Sequence, residues 1–386
     1  METQINNGVG VLNAGVECHR QGRLDDAEEF YRRALQSLPG NSEALHLLGL
    51  VAYQRKRFRD ALSLVGYAIG SNPSVAAYHN SLGMVQRALG LNAAAELSYR
   101  RAIQLDGRNP EPHNNLGNAL RDAGKTEEAL SAYRAAIELS PNRVEGWVNA
   151  ANLMFESGDT RRAIELYREA LERDAACASA YAGLGRALRA ESQGPEAMAA
   201  YERALEISPE SADVMFNIGV ALQDMGDLAG AEQWYHRVLE LNPRSGAAYS
   251  GLGNICAHRG DCDRAMQFYG QSLALRSDDG VTLRAALVLP VIALSSEEIG
   301  MRRQSFGENV RALQRQSLRL RDPVAEAGAT GFYLSYHGQD NRELLCLLAR
   351  TYGTACTELT WEAPHCRSPR DRNRRIRVGF ISRFFF

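Results

Sequence analysis

The stretch NNLGNALRDAGKTEEALSAYRAAIELSP at residues 114–141 recurs along the chain. It superposes without gaps on LNAGVECHRQGRLDDAEEFYRRALQSLP at 12–39 and on FNIGVALQDMGDLAGAEQWYHRVLELNP at 216–243. These copies start 102 residues apart, or three periods of 34. Frames of 34 residues starting at residue 8 fill 8–279 with eight repeats and no insertion. Position 1 is therefore residue 8, 42, 76, 110, 144, 178, 212 or 246.

The repeated residue types predict two packed helices in each period. Position 8 is Gly or Ala and position 20 is Ala in every repeat, which lets two helices approach closely. Position 24 is Tyr in all repeats except the second, which has Val65, and we expect this ring to fill the gap between one helix pair and the next. Position 15 is Gly in six repeats, as expected for a turn with positive φ. A proline at position 32 of five repeats favours an end to the second helix just before it.

A 34-residue period with these small residues and aromatic rings resembles the tetratricopeptide repeat family. The resemblance implies an all-α fold, a superhelical solenoid of eight helix pairs over residues 8–279. One pair cannot bury its apolar stripe alone, but stacked pairs bury a continuous core and leave a concave groove. Such a groove implies proteins or extended peptides as partners.

The period stops after residue 279, and we expect three further segments. Residues 280–362 predict capping and linker helices that cover the open face of the last repeat. Residues 363–375, APHCRSPRDRNRR, are polar and rich in Pro and Arg, which is typical of a linker. Residues 376–386 begin with IRVGFI, an apolar run that predicts a single β-strand.

The order of motifs in this part of the chain is similar to that of one enzyme family. A repeat array followed by FYLSYHG, then APHCR and RIRVGFISRFF, resembles bacterial O-linked N-acetylglucosamine transferases of glycosyltransferase family 41. The resemblance implies that 376–386 is the first strand of a GT-B catalytic domain and that the repeats recruit substrate proteins. It also implies transfer from UDP-N-acetylglucosamine to Ser or Thr. In that family a functional histidine follows the Ser-x-Phe-Phe element, which is at 382–385 here, so we expect this chain to be a truncated member. We expect UDP-N-acetylglucosamine to bind only if the catalytic region is present.

Asparagines recur at positions 6 and 9, which are neighbours on one face of the first helix. An amide offers both a donor and an acceptor, so a ladder of amides can hold a peptide backbone whatever its side chains. The resemblance implies the same role, with extended Ser/Thr-rich peptides as ligands; the alternative is that Asn is merely tolerated at an exposed position. Leu47, Ser81, Gly183 and Gly251 interrupt the ladder. The predicted groove residues are Asn13, Asn115, Asn118, Asn149, Asn152, Asn217 and Asn254.

The amino-acid composition argues against several other classes of protein. The balance of 44 basic and 46 acidic residues argues against a dedicated nucleic-acid binder. The sequence has no long apolar span, so we expect no membrane insertion. Seven cysteines without a CxxC pair indicate reduced thiols in the cytoplasm rather than disulfides or zinc. We assign no catalytic residue, no cofactor and no metal ligand. A stand-alone tetratricopeptide adaptor that mediates protein–protein interaction remains the alternative to a transferase scaffold.

Overall fold

The computed structural model describes residues 2–290, 295–328, 334 and 337–356, and within them the chain is helical without any strand. The all-α prediction is therefore confirmed for this part of the chain, whereas the linker at 363–375 and the strand at 376–386 lie outside the described residues. The chain forms two compact units, one ending at Asn217 and the other beginning at Ile218. The helices of the repeats are α1 (Glu2–Arg20), α2 (Leu24–Ser37), α3 (Ser42–Gln54), α4 (Phe58–Ser71), α5 (Ala76–Ala88), α6 (Asn92–Leu105), α7 (Pro110–Asp122), α8 (Thr126–Leu139), α9 (Val144–Glu156), α10 (Thr160–Arg173), α11 (Ala178–Ala190), α12 (Gly194–Ile207), α13 (Ala212–Asp224), α14 (Leu228–Leu241), α15 (Gly246–His258) and α16 (Cys262–Leu275).

These helices follow the predicted period. From the second repeat onward the first helix begins at position 1 and has 13 residues, and in every repeat the second helix begins at position 17 and has 14 residues. The turn between them holds its glycine at φ between +74° and +88° in six repeats. In the second and sixth repeats the same left-handed position is occupied by Lys56 (φ 58°) and Ser192 (φ 61°), which pay the steric cost of a Cβ there.

The buried tyrosine at position 24 packs against the small residue at position 8 of its own repeat in most repeats. A Cβ added to the position-8 glycine of the same repeat would lie only 2.4–2.7 Å from this ring in six repeats. The glycine therefore makes room for the tyrosine of its own helix pair. Tyr235 of the seventh repeat also lies against Gly251 of the next pair, and for the repeats without such a glycine the filling of the gap between pairs stays a prediction. The fifth repeat has Ala151 at position 8, and its Tyr167 ring lies against Gly183 of the next repeat instead. All seven rings are at most 2% exposed.

Within the part of the chain that the structure describes, four helices follow the last repeat: α17 (Asp279–Ala286), α18 (Ser296–Leu313), α19 (Pro323–Glu326) and α20 (Arg342–Ala355). Val281 of α17 packs with Tyr269 and Cys256 of the eighth repeat. Beyond it, Leu283 joins Phe306, Val310 and other residues of α18 and α20 in a separate core cluster. Val281 therefore covers part of the eighth repeat, and the capping segment at 280–362 stays a prediction.

Candidate peptide-binding groove

The first helices of the fourth and fifth repeats place four of the predicted asparagines on one face. Asn115 and Asn118 lie on α7, and Asn149 and Asn152 lie one repeat further on, on α9. All four are half-buried. Because they are only half-buried, these side chains are held by their neighbours and are still accessible to a ligand.

The asparagines at position 9 are held by the buried tyrosines at position 24. The hydroxyl of Tyr133 donates to Asn118 Oδ1 at 2.8 Å, and that of Tyr167 donates to Asn152 Oδ1 at 2.6 Å. Burial raises the pKa of each of these tyrosines to about 12, so the hydroxyl keeps its proton and acts as the donor. Within the described residues neither Nδ2 group makes a hydrogen bond, which leaves it as a donor for a ligand.

The asparagines at position 6 are held through their Nδ2 groups rather than through Oδ1. Asn115 Nδ2 donates to Asn80 Oδ1 at 3.0 Å, and Asn149 Nδ2 donates to Asn114 Oδ1 at 2.9 Å. Asn80 Nδ2 in turn donates to Glu111 Oε1 at 3.2 Å. The Oδ1 atoms of the position-6 asparagines are therefore left as acceptors. The fourth and fifth repeats thus each offer one acceptor and one donor, the two groups that a peptide bond requires.

We call this surface the amide face, which consists of Asn80, Asn114, Asn115, Asn118, Asn149 and Asn152. Sequence reasoning missed Asn80 and Asn114, because position 5 carries Asn in only these two repeats. The spacing of 35 residues between each donor and its acceptor is the signal that could have revealed them.

The other predicted asparagines belong to other repeats. Asn13 is exposed on α1, three repeats before Asn115, and Asn217 is the last residue of the first compact unit. Asn254 belongs to the second unit and accepts a hydrogen bond from the Tyr269 hydroxyl at 2.8 Å, as the other position-9 asparagines do.

The interruptions of the ladder have packing explanations. A Cβ at Gly183 would lie 2.3 Å from the Tyr167 ring, and a Cβ at Gly251 would lie 2.6 Å from the Tyr235 ring. Ser81 is buried and shares a hydrogen bond of 2.8 Å with His46 Nε2. At these three places the position-6 residue therefore serves the fold rather than the groove.

Two clefts border the amide face. One of about 330 Å³ is lined by Tyr53, Met84, Arg87, Asn115 and Asp122, among others. In it Arg87 Nε donates to Asp122 Oδ2 at 2.7 Å, so the charges of this pair compensate each other. The other cleft, of about 220 Å³, is lined by Pro110, Glu111, Asn114, Asn115, Ala136, Arg143, Glu145 and Gly146.

The histidines at position 4 have structural partners. His79 and His113, at position 4, bond through Nε2 to the carbonyl oxygens of Pro73 (2.8 Å) and Gly107 (3.3 Å). Trp147 at the same position donates to the Pro141 carbonyl oxygen, so this residue ties the helix to the preceding turn. The described part of the chain contains no group of three or more acidic, His or Cys side chains able to hold a metal ion.

Comparison with known proteins agrees with this architecture. Profiles of the tetratricopeptide repeat family match residues 11–42, 46–110, 148–212, 188–252 and 248–281, and profiles of the same repeat match 98–131 and 117–158. Together they span most of the eight predicted repeats, and the chain belongs to the tetratricopeptide repeat family. As far as the described residues extend, no helix is both long and apolar enough to cross a membrane.

Individual relatives are distant. Human tetratricopeptide repeat protein 7B is 29% identical over 90 residues, which are 23% of this chain and only 11% of that protein. The Cut9–Hcn1 hetero-tetramer structure of the APC/C matches with a TM-score of 0.54 and 14% identity, over 76% of this chain and 55% of that one. A tetratricopeptide repeat protein from Parabacteroides merdae matches with a TM-score of 0.52 and 16% identity, over 69% and 98%. At these identities the two structures show a common fold alone.

Proposed function

We propose that this chain is a scaffold that binds an extended, Ser/Thr-rich segment of a partner protein along the amide face. The arrangement of hydrogen-bond acceptors and donors on the paired asparagines is the observation that supports this proposal. Asn115 and Asn149 offer acceptors for backbone N–H groups, and Asn118 and Asn152 offer donors for backbone C=O groups. A surface that pairs with both halves of the peptide bond binds many sequences, provided that the segment is extended.

We further propose that the scaffold serves a protein O-linked N-acetylglucosamine transferase, for which it would present Ser and Thr hydroxyls. The resemblance of 280–386 to that family supports this role, and a groove that ignores side chains suits an enzyme with many substrates. A stand-alone adaptor explains the amide face equally well. Reading the codons after residue 386 separates the two: an open frame with a histidine soon after Ser382-Arg-Phe-Phe and a GT-B-sized region favours the transferase, and a stop codon favours the adaptor.

Peptide binding is tested by fluorescence polarisation with a fluorescein-labelled peptide of 14 Ser, Thr and Ala residues. The Asn115→Ala/Asn149→Ala variant removes two acceptors, each worth about 0.5–1.5 kcal/mol, so we expect the Kd to rise between about fivefold and a hundredfold. Asn92→Ala, at the start of α6, is the matched control outside the amide face and should bind like the wild type. Equal affinities for all three proteins, or no binding to any of them, would exclude the proposed groove.

A further inference from the structure

His337, in the FYLSYHG stretch, is a buried histidine whose ring has no hydrogen-bond partner in the described part of the chain. The residue is 8% exposed, and neither Nδ1 nor Nε2 is bonded there. His46 of the second repeat is buried to the same extent, but its Nε2 shares a hydrogen bond of 2.8 Å with Ser81 Oγ. A buried polar group without a partner costs free energy, so the surrounding structure must hold His337 in place.

The backbone on either side of His337 is tied to α18 and to the start of α20. The Arg303 guanidinium of α18 donates to Asn341 Oδ1 and to the Asp340 carbonyl oxygen. Asn341 Nδ2 in turn donates to the Leu334 carbonyl oxygen at 3.0 Å. Leu334 is fully buried in the core cluster that α18 and α20 share. The imidazole is therefore enclosed by contacts that must break before the ring can reach water.

The charges around His337 do not compensate a proton on its ring. The charged side chains that flank it in the described part of the chain are Arg303 on α18, Asp340 before α20, and Arg342 and Glu343 in the first turn of α20. Both carboxylates are engaged: Asp340 Oδ1 accepts the backbone N–H of the first residue of α20 at 2.9 Å, and Glu343 pairs with Arg311 at 2.9 Å. Burial lowers the pKa of His337, and the positive charge of Arg303 lowers it further.

We propose that His337 is an acid-sensitive latch of the C-terminal helices, which stays closed while its ring is neutral and opens when the ring takes up a proton. In the closed state that proton would create a buried charge beside Arg303 with no acceptor for its N–H groups. In an opened state the ring reaches water and binds the proton at the ordinary affinity of histidine. Mild acid therefore favours the opened state. The latch goes beyond the proposed peptide groove and acts independently of it.

The direction and size of the effect follow from the two states. An exposed histidine has a pKa of about 6.5, and the pKa of His337 is lower than that in the closed state. The contribution of the neutral ring to closure is therefore fully present above about pH 6.5 and is lost as the pH falls below it. For a ring that stays neutral while closed, the ratio of opened to closed molecules rises about tenfold between pH 7.5 and pH 5.5.

Two cysteines of the same region measure the opening. Cys346 on α20 is exposed, whereas Cys356, directly after α20, is buried in the core cluster that contains Leu334. The full chain is labelled with N-ethylmaleimide, and peptide mass spectrometry gives the rate at each cysteine. Acid reduces the thiolate fraction at both, so the ratio of the Cys356 rate to the Cys346 rate reports opening. We expect this ratio to rise between about threefold and tenfold from pH 7.5 to pH 5.5.

Variants assign the rise to its residue. His337→Leu removes both unpartnered nitrogens together with the titration, and it should abolish the rise. His337→Gln, which is polar and does not titrate, should abolish it as well and serves if the leucine variant does not fold. His258→Gln removes an exposed histidine of α15 and should keep the rise. A wild-type ratio that does not change with pH, or a rise of wild-type size in a folded His337 variant, would overturn the latch.

Discussion

Replacing Asn118 by aspartate separates the binding role of the amide face from its structural role. In the wild type, Asn118 Oδ1 accepts from the Tyr133 hydroxyl at 2.8 Å, and Nδ2 is the group left for a ligand. Aspartate keeps an oxygen for the tyrosine and replaces the donor by a second oxygen. Asn118→Asp should therefore lose peptide affinity and keep its stability, whereas Asn118→Ala should lose both.

The magnitudes follow from the contacts. Losing one hydrogen bond to a peptide carbonyl costs about 0.5–1.5 kcal/mol, and a carboxylate facing that carbonyl adds repulsion, so the Kd should rise at least about threefold and up to tenfold or more. Removing the oxygen altogether leaves the hydroxyl of Tyr133, whose ring is fully buried, without its acceptor, which costs about 1–3 kcal/mol of unfolding free energy. Asn118→Asp keeps an oxygen that accepts from this hydroxyl, so we expect no comparable loss of stability in that variant.

Two measurements test this pair of variants. Fluorescence polarisation with the acid-free Ser/Thr/Ala peptide reports affinity, and urea unfolding followed by helical circular dichroism reports stability. We expect Asn118→Asp to unfold at nearly the wild-type midpoint and Asn118→Ala to unfold at a lower one. If Asn118→Asp binds as tightly as the wild type, Nδ2 does not contact the peptide and the assigned polarity of the amide face is refuted.

Three further perturbations test the fold. Lys56→Gly and Ser192→Gly relieve a left-handed Cβ and should each raise the unfolding free energy by about 0.5–1 kcal/mol in urea; a decrease would show that no strain exists there. Gly183→Ala places a Cβ 2.3 Å from a ring carbon of a buried tyrosine and should lower the unfolding free energy by about 1–3 kcal/mol. Gly66 has open space around it, so Gly66→Ala should raise the unfolding free energy. Equal effects of the two substitutions would contradict this packing. Burial lowers the pKa of His46 to about 4, so its contribution to stability is fully present above about pH 6.5 and disappears as the pH falls toward 4. We expect the unfolding free energy of the wild type to lose about 3 kcal/mol from this group between pH 7 and pH 4. In urea titrations at the two pH values, a His46→Gln variant should not show this loss.

The periodic part of the molecule could be predicted from the sequence, because each 34-residue frame repeats the same helix-pair chemistry. The small residues, the turn glycines and the ring at position 24 located the helices. The contact of that ring with the position-8 glycine of its own repeat was not predicted, since the recurrence of two residue types does not say which of them touch. Position 9 held a usable signal: each of Asn118, Asn152 and Asn254 is followed 15 residues later by a tyrosine, which is the residue that it bonds.

The polarity of the amide face could not be predicted from the sequence. It arises from bonds between repeats, in which Asn80 and Asn114 accept from residues 35 positions later. Position 5 is Asn in only these two repeats, so the recurrence of residue types along the sequence did not single it out.

The central claim is that the groove recognises the peptide backbone, and backbone methylation tests it most directly. The acid-free Ser/Thr/Ala peptide, a scrambled isomer and a version N-methylated at alternate residues are titrated into the wild-type chain by fluorescence polarisation. N-methylation removes N–H donors and leaves every side chain in place. We expect the parent and the scrambled peptide to bind with the same Kd, and the N-methylated peptide to bind at least about tenfold more weakly. Equal binding of the N-methylated peptide, or a strong dependence on sequence order, would contradict backbone recognition by the amide face.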